Sequence, residues 1–374
     1  MSAADDPIAL AAGGTGGHMF PAEALAQELK RRGRRVLLVT DARGARYAEN
    51  FPCDDQFEIS AATPSVGGPV AKGLAAISIA QGLFTARREF KKRRPAAAIG
   101  FGGYPSLPAM KAAALMGVPY GVHEQNGVLG RANRMLVKGA AFTAHGFPVL
   151  EKAPANIRMI EVGNPVRDAV EAVSNAAMPA ISDHSDINLL IFGGSQGAGI
   201  FSSAPVKAMA ALPEAIRERL NIVHQAREGD LEDVREGYRA AGIRCEVAPF
   251  FADLPQRMAA AHLVISRAGA STVTELSAIG RASILAPLAI AMDDHQTGNA
   301  RVLSEASAAI MLPESRFNED TLAAALSTLL ANPGRLQSMA AAAKDIVKSG
   351  AAAMLADLVE EICESRLPAQ KGAA

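Results

Sequence analysis

The chain has 374 residues but no run approaching the ~18 to 20 apolar residues that a membrane-spanning helix requires. Its longest candidate, Ala282 to Met292, is shorter and is interrupted by Pro287. It also lacks a basic leader. Asp5 and Asp6 stand where a secretory segment would carry Lys or Arg, so the expectation is a protein that stays in the cytoplasm. Only three cysteines occur, Cys53, Cys245 and Cys363, without CxxC or metal-ligand spacing; they read as reduced, unpaired thiols. There is no excess of either charge. Lys plus Arg and Asp plus Glu both number 38, which argues against nucleic acid as a bulk partner. No GK[ST] follows any glycine run, which excludes a P-loop. No Asp-x-Asp occurs, and Asp293-Asp294 are adjacent rather than spaced, so catalysis is expected to need no tightly bound metal and no cofactor.

What is present is an alternation. Short apolar runs (Ile8–Ala12, Val36–Val39, Ala96–Ile99, Tyr120–Val122, Phe142–Ala144, Met159–Val162) are separated by longer Ala-, Leu-, Glu- and Arg-rich segments. A second set follows at Leu189–Phe192, Ile222–His224, Cys245–Ala248, Leu263–Ser266 and Ala282–Leu285. Strand and helix in turn is the grammar of a parallel α/β sheet. The grammar restarts: an apolar strand runs into Gly13-Gly14-Thr15-Gly16-Gly17, and the same arrangement returns at Gly193-Gly194-Ser195-Gln196-Gly197. Ser174 to Asp186 reads as a loop between the halves, and Gly163-Asn164-Pro165 as a hinge. Two tandem Rossmann-like domains are the simplest architecture for this length. Their expected spans are 1–165 and 166–345, with 346–374 packing back on the first and one long helix running from about Gln337 to Glu364.

Each glycine loop leads into a helix whose first amides lack partners and carry partial positive charge, which suits an anionic ligand. A third strand, turn and helix, Leu263 to Glu275, contains Arg267-Ala268-Gly269-Ala270-Ser271-Thr272. Thr272 and Glu275 fit a T-x-x-E capping box; they equally fit a helix start that meets a diphosphate, with Glu275 accepting from a ribose diol.

Six motifs in order resemble the bacterial lipid II synthases of glycosyltransferase family 28. They are Gly13 to His18, Gly102-Gly103-Tyr104, His123-Glu124-Gln125-Asn126, Gly163-Asn164-Pro165-Val166-Arg167, Gly193 to Gly197 and Arg267 to Glu275. The resemblance implies a GT-B fold, two Rossmann-like domains with mostly parallel sheets flanking a cleft. It implies inverting transfer of GlcNAc from UDP-GlcNAc to undecaprenyl-pyrophosphoryl-MurNAc-pentapeptide, lipid I, at the cytoplasmic face of the inner membrane. Thr15, Gly16, Gly17, Asn126, Arg167 and Ser195 match positions that contact the sugar nucleotide. Ala252 matches a position whose backbone reads uracil, and Ala270, Ser271, Thr272 and Glu275 match the diphosphate and ribose site. Gln296 matches a glutamine near the sugar hydroxyls, although this chain has His295-Gln296 where some relatives carry two glutamines. The family also brings other cell-wall or division proteins into view as partners.

Transfer needs a base, and His18 is the first candidate because imidazole titrates near working pH; a capping or packing role at the helix start is the alternative. His123 and Glu124 are further candidates. Ser195, the Ala270 to Thr272 amides and Arg167 or Arg267 are candidates for stabilising the departing UDP.

Residues 69–95 carry seven basic side chains (Lys72, Arg87, Arg88, Lys91, Lys92, Arg93, Arg94) against one acid, Glu89, with Leu74, Ile77, Leu83 and Phe84 among them. This reads as a basic amphipathic helix for an anionic membrane surface, or as a helix ending in a solvated basic tail. Rival functions are another UDP-sugar transferase, a UDP-GlcNAc epimerase, a silent nucleotide-binding scaffold, or an NAD(P)-dependent oxidoreductase, for which Asp41 after the second strand would bind ribose.

Overall fold

The structure, a computed structural model, describes residues 6–14, 16–61, 68–193, 199–288, 294–344, 346 and 348–365. It divides into two compact units, one of Met1–Asp168 with Lys348–Ala374 and one of Ala169–Val347. Among the described residues no helix is long and apolar enough to cross a membrane.

The first unit holds seven parallel strands: β1 (Ile8–Ala11), β2 (Val36–Thr40), β3 (Asp55–Glu58), β4 (Ala97–Gly100), β5 (Tyr120–Glu124), β6 (Phe142–His145) and β7 (Met159–Glu161), in the order β3-β2-β1-β4-β5-β6-β7. Their inner members are buried at every position because both faces are covered, as parallel sheets require. One face packs on α1 (Gly16–Arg31) and on the last helix of the chain, through Met19, Leu25 and Leu29 and through Leu355, Val359 and Ile362. The other packs on α2 (Pro69–Arg93) and α3 (Gly103–Leu115) through Phe90, Leu107 and Met110. A single turn, α4 (Arg131–Arg134), follows β5. The helix α5 (Asp168–Ser174) then follows β7.

The second unit has six parallel strands: β8 (Ile187–Phe192), β9 (Leu220–Gln225), β10 (Arg244–Ala248), β11 (Leu263–Ser266), β12 (Ala282–Leu285) and β13 (Ala309–Met311), in the order β10-β9-β8-β11-β12-β13. Its helices are α6 (Gly199–Ala210), α7 (Glu214–Arg217), α8 (Leu231–Ala240), α9 (Leu254–Ala260), α10 (Ala270–Ile279), α11 (His295–Glu305), α12 (Glu319–Leu330) and α13 (Pro333–Lys344). The loop from Ser174 to Asp186 is tied down. Buried Arg281 donates to the Ala176 and Ala177 carbonyls, and Arg219 to those of Ser182 and Ser185.

Three sequence expectations change. The C-terminal stretch is two helices: α13 ends at Lys344, and α14 (Ala351–Glu364) begins after Gly350, which has φ +75°. A left-handed residue cannot continue a helix, and Gly adopts it without a Cβ clash. The edge strands β3 and β13 escaped detection because one is the polar sequence Asp-Gln-Phe-Glu and the other has three residues. Thr272 and Glu275 form no capping box, since α10 starts earlier, with Gly269 in the cap position.

Candidate functional site

In a parallel sheet whose strand order reverses, the loops on either side of the reversal diverge and leave a crevice at the carboxyl ends of the strands. In the first unit the reversal lies between β1 and β4. The loop after β1 is Gly13-Gly14, and the loop after β4 is Gly102-Gly103. His18, in the first turn of α1, lies against the second loop. A Cβ added to Gly102 would stand 3.3 Å from His18 Cδ2, and one on Gly103 would be 3.7 Å from Cε1. Both glycines have positive φ, +81° and +70°, so a side chain there would be strained as well as crowded. The imidazole therefore sits at the crevice, beside the glycine backbone. Pro21 lies within α1 and cannot donate to the Gly17 carbonyl, which leaves that carbonyl outside the helical ladder.

The remaining carboxyl-end loops converge on the same edge. Arg167 places its guanidinium 4.0 Å above the Phe20 ring, and Phe20 in turn lies where a Cβ on Gly16 would be, within 2.9 Å. Gly16, Gly17, His18 and Arg167 are thus neighbours. Glu124, at the end of β5, is buried and accepts from the Asn126 amide (3.1 Å), Asn126 Nδ2 (3.0 Å), the Gly130 amide (2.9 Å) and Asn133 Nδ2 (2.8 Å). Burial pushes its carboxyl above the usual range, against those hydrogen bonds. His123 is fully buried, its Nε2 3.2 Å from the Gly163 carbonyl; burial holds its imidazole down to about 4. A neutral, enclosed ring with one nitrogen on backbone is a poor proton acceptor for a substrate. Glu124 is likewise committed to holding Asn126. Both are removed as base candidates.

Asp41 does not serve a ribose. Its Oδ1 accepts the Gly14 and Gly44 amides at 2.9 Å each, and its Oδ2 accepts Arg43 Nε at 3.0 Å. The carboxylate is spent on the glycine loop, which takes away the residue on which a dinucleotide reading depended.

In the second unit the reversal lies between β8 and β11. Ser195 is outside the described residues, as is Thr15 of the first unit. The loop after β11 opens directly into α10, whose first turn carries Ala270, Ser271 and Thr272 with no side-chain cap. Ser271 Oγ is buried and makes no hydrogen bond among the described residues. Uncapped amides and an orphan hydroxyl on one helix turn are what an anionic group would satisfy. Glu275 follows one turn on and is buried. Ala252 is exposed in the loop before α9, between β10 and the helix. Gln296, at the start of α11, accepts the Leu288 amide on Oε1 at 3.0 Å, so its side-chain oxygen is engaged with backbone.

Arg267 is not available for a leaving group. Its two terminal nitrogens each donate to one Glu314 oxygen at 3.1 Å, and Nη1 also donates to the Ala286 and Pro287 carbonyls, while its guanidinium lies 5.6 Å over the Phe201 ring. It braces the loop after β12 and leaves cationic stabilisation to other groups. Sequence reasoning also passed over Phe250, 71% exposed beside Ala252, and over Arg43. An isolated aromatic or arginine in a loop carries no periodic signal.

Of the apolar residues expected at a membrane surface, Leu74, Ile77 and Phe84 are exposed at 62%, 56% and 70%, whereas Leu83 packs into the core under α2. The helical period puts Leu83 on the opposite face from Phe84's stripe. Arg87, Arg88, Lys91 and Lys92 are exposed, and buried Glu89 pairs with Arg88, Lys92 and Arg93.

Residues 8–144 match the glycosyltransferase family 28 N-terminal domain and residues 188–358 its C-terminal domain. A UDP-N-acetylglucosamine–N-acetylmuramyl-(pentapeptide) pyrophosphoryl-undecaprenol N-acetylglucosamine transferase of Caulobacter vibrioides is 48% identical over 94% of this chain and 98% of its own length. The enzyme of the same name in Methylorubrum populi is 47% identical over 95% of this chain and 96% of its own. Among solved structures, the Acinetobacter baumannii MurG crystal structure superposes with a TM-score of 0.77 at 30% identity, covering 96% of this chain and 99% of that one.

Proposed function

Because this chain belongs to glycosyltransferase family 28, we propose a division of labour between its two units in a reaction that moves one sugar. The protein is a UDP-GlcNAc-dependent N-acetylglucosaminyltransferase of GT-B fold. It transfers GlcNAc to undecaprenyl-pyrophosphoryl-MurNAc-pentapeptide, lipid I, and so forms lipid II in peptidoglycan synthesis.

The second unit holds the donor. The diphosphate meets the first amides of α10 and Ser271 Oγ, where the helix end supplies partial positive charge without side-chain reorganisation. Glu275 accepts from the ribose, the Ala252 loop faces uracil, and Gln296 faces the sugar. Ser195, Asn126 and Arg167 complete the donor contacts, with Thr15, Gly16 and Gly17 on the sugar side.

The first unit supplies the base. His18 takes the proton from the acceptor hydroxyl as that oxygen bonds to the anomeric carbon. On the opposite face the bond to UDP breaks, and its electron pair leaves on the diphosphate. One observation carries this role: His18 alone of the candidate bases stands at the crevice beside both glycine loops, while His123 and Glu124 are enclosed. Replacing His18 with Ala should lower turnover about 10²-fold or more. Calorimetric affinity for UDP-GlcNAc should survive. Near-normal turnover in that variant removes His18 from the mechanism.

The acceptor is a lipid, and α2 is the surface that meets the membrane. Val70, Leu74, Ile77 and Phe84 fall at i, i+4, i+7 and i+14 and share one face, which continues into Arg88, Lys91 and Lys92. The protein is accordingly peripheral, at the cytoplasmic face of the inner membrane, with anionic lipid as partner.

A further inference from the structure

We propose that Arg43, held by Asp41 over the first glycine loop, binds the diphosphate of a substrate in the first unit. The inference rests on the transferase reading and extends it to residues outside the six motifs. Both substrates of that reaction are diphosphate esters, so the chemistry is common to the two.

The placement follows from Asp41. Its side chain is buried, and its Oδ1 receives two backbone amides, that of Gly14 at φ +83° and that of Gly44. The loop is closed around this carboxylate. A Cβ on Gly13 would lie 2.6 Å from Asp41 Oδ1, and one on Gly44 would lie 2.9 Å from Gly13 Cα. The other carboxylate oxygen is left for Arg43, with Nε and one terminal nitrogen both at 3.0 Å. That aims the guanidinium back across the loop, with the terminal nitrogen 3.5 Å from where a Gly14 Cβ would be. Arg43 is 57% exposed in its side chain, and its other N–H groups make no hydrogen bond among the described residues.

The result is a fixed cation beside the amino end of α1, at the same crevice as His18. Backbone amides with a charged planar donor beside them recognise phosphate oxygens in two directions, and a guanidinium can do so through paired N–H bonds. The ion pair with Asp41 is compatible with this role. The carboxylate neutralises part of the charge while fixing the side chain's direction, which lowers the entropy lost when an anion arrives. Asp41 is thus the positioning residue and Arg43 the binding residue.

Steady-state kinetics on the full chain test the pair, with UDP-GlcNAc and a lipid-linked diphosphate acceptor varied in turn. Arg43→Ala should raise KM for one of the two about tenfold or more, at little cost in kcat, as expected for a lost charge-assisted contact. The substrate whose KM moves identifies the diphosphate. Arg43→Lys should recover part of the loss, and the melting temperature of both variants should match that of the parent. Arg43→Gln serves as the neutral variant should the alanine fold poorly. Asp41→Asn should raise the same KM, with little further increase when Arg43 is also removed. KM values for both substrates unchanged in Arg43→Ala and Arg43→Gln overturn the proposal. Absence of transfer by the parent protein would instead overturn the function on which it rests.

Discussion

At the scale of single residues, two of the buried histidines make stability depend on pH in a defined window. His123 and His224 are fully enclosed, and burial holds both at about 4, against an ordinary value of 6.5. Between those values the unfolded chain binds protons that the native chain refuses. Stability is therefore complete above about pH 6.5 and falls as pH drops towards 4, each histidine contributing at most roughly 3 kcal/mol. Glu124, raised by burial, works in the opposite direction, and Glu89, held at about 2 by its ion pairs against burial, matters only below its ordinary 4.5. The His224 share is separable. His224→Gln keeps a polar partner for the Tyr238 hydroxyl, 3.0 Å from the ring nitrogen, but has nothing to titrate. Urea midpoints should decline from pH 7.5 to 5 in the parent and decline less in the variant. Equal slopes would contradict the assignment. Residue identities were legible unevenly. His18 and the α10 start announced themselves through glycine spacing. The engagement of Arg267 with Glu314, 47 positions away, and of Asp41 with Gly14, 27 positions away, is tertiary and left no trace in local pattern.

Elements carry the next level. Eleven of the thirteen strands coincide with largely apolar runs, most of them in strands covered on both faces. The two that did not, β3 and β13, lie at sheet edges, where burial is partial and the apolar signal weak. Helix ends were harder to read: only Gly350 separates α13 from α14 convincingly, and Ala-rich sequence on both sides propagates helix equally well. For α2 the composition marked a basic amphipathic segment, while the direction of each side chain needed the neighbouring α3 and sheet to set it. That direction yields a prediction. The chain should bind vesicles containing anionic phosphatidylglycerol and release them as salt rises, since each basic residue near the surface contributes roughly 1 kcal/mol. Leu74→Asp with Phe84→Asp should weaken binding, and Leu83→Ala, which faces the core, should instead lower stability. Equal binding to neutral and anionic vesicles in a sedimentation assay would count against α2 as the docking surface.

For the whole molecule, the same design occurs twice along one chain. Each unit is a parallel sheet with one reversal of strand order, and in each, described candidate residues lie in loops at the carboxyl ends of strands, including strands that flank the reversal. Repetition of a strand, a glycine loop and a helix was visible in sequence, and so was the two-part architecture. The return of α14 to the first unit was an expectation without a motif. It becomes intelligible once Leu355, Val359 and Ile362 are seen to complete the core behind α1. A neutral chain that carries a cluster of basic residues at the end of one helix of the first unit suits an enzyme whose acceptor is embedded in lipid while its donor is dissolved in water. The reaction itself gives the most direct test. UDP-GlcNAc and a lipid-linked MurNAc-pentapeptide acceptor should be incubated with the protein, and the lipid product isolated for mass and anomeric configuration. The lipid product should have gained one N-acetylhexosamine in inverted, β configuration, with one UDP released per product. UDP release without acceptor, a free epimerised UDP-sugar, or an α-linked product would contradict the inverting transferase reading.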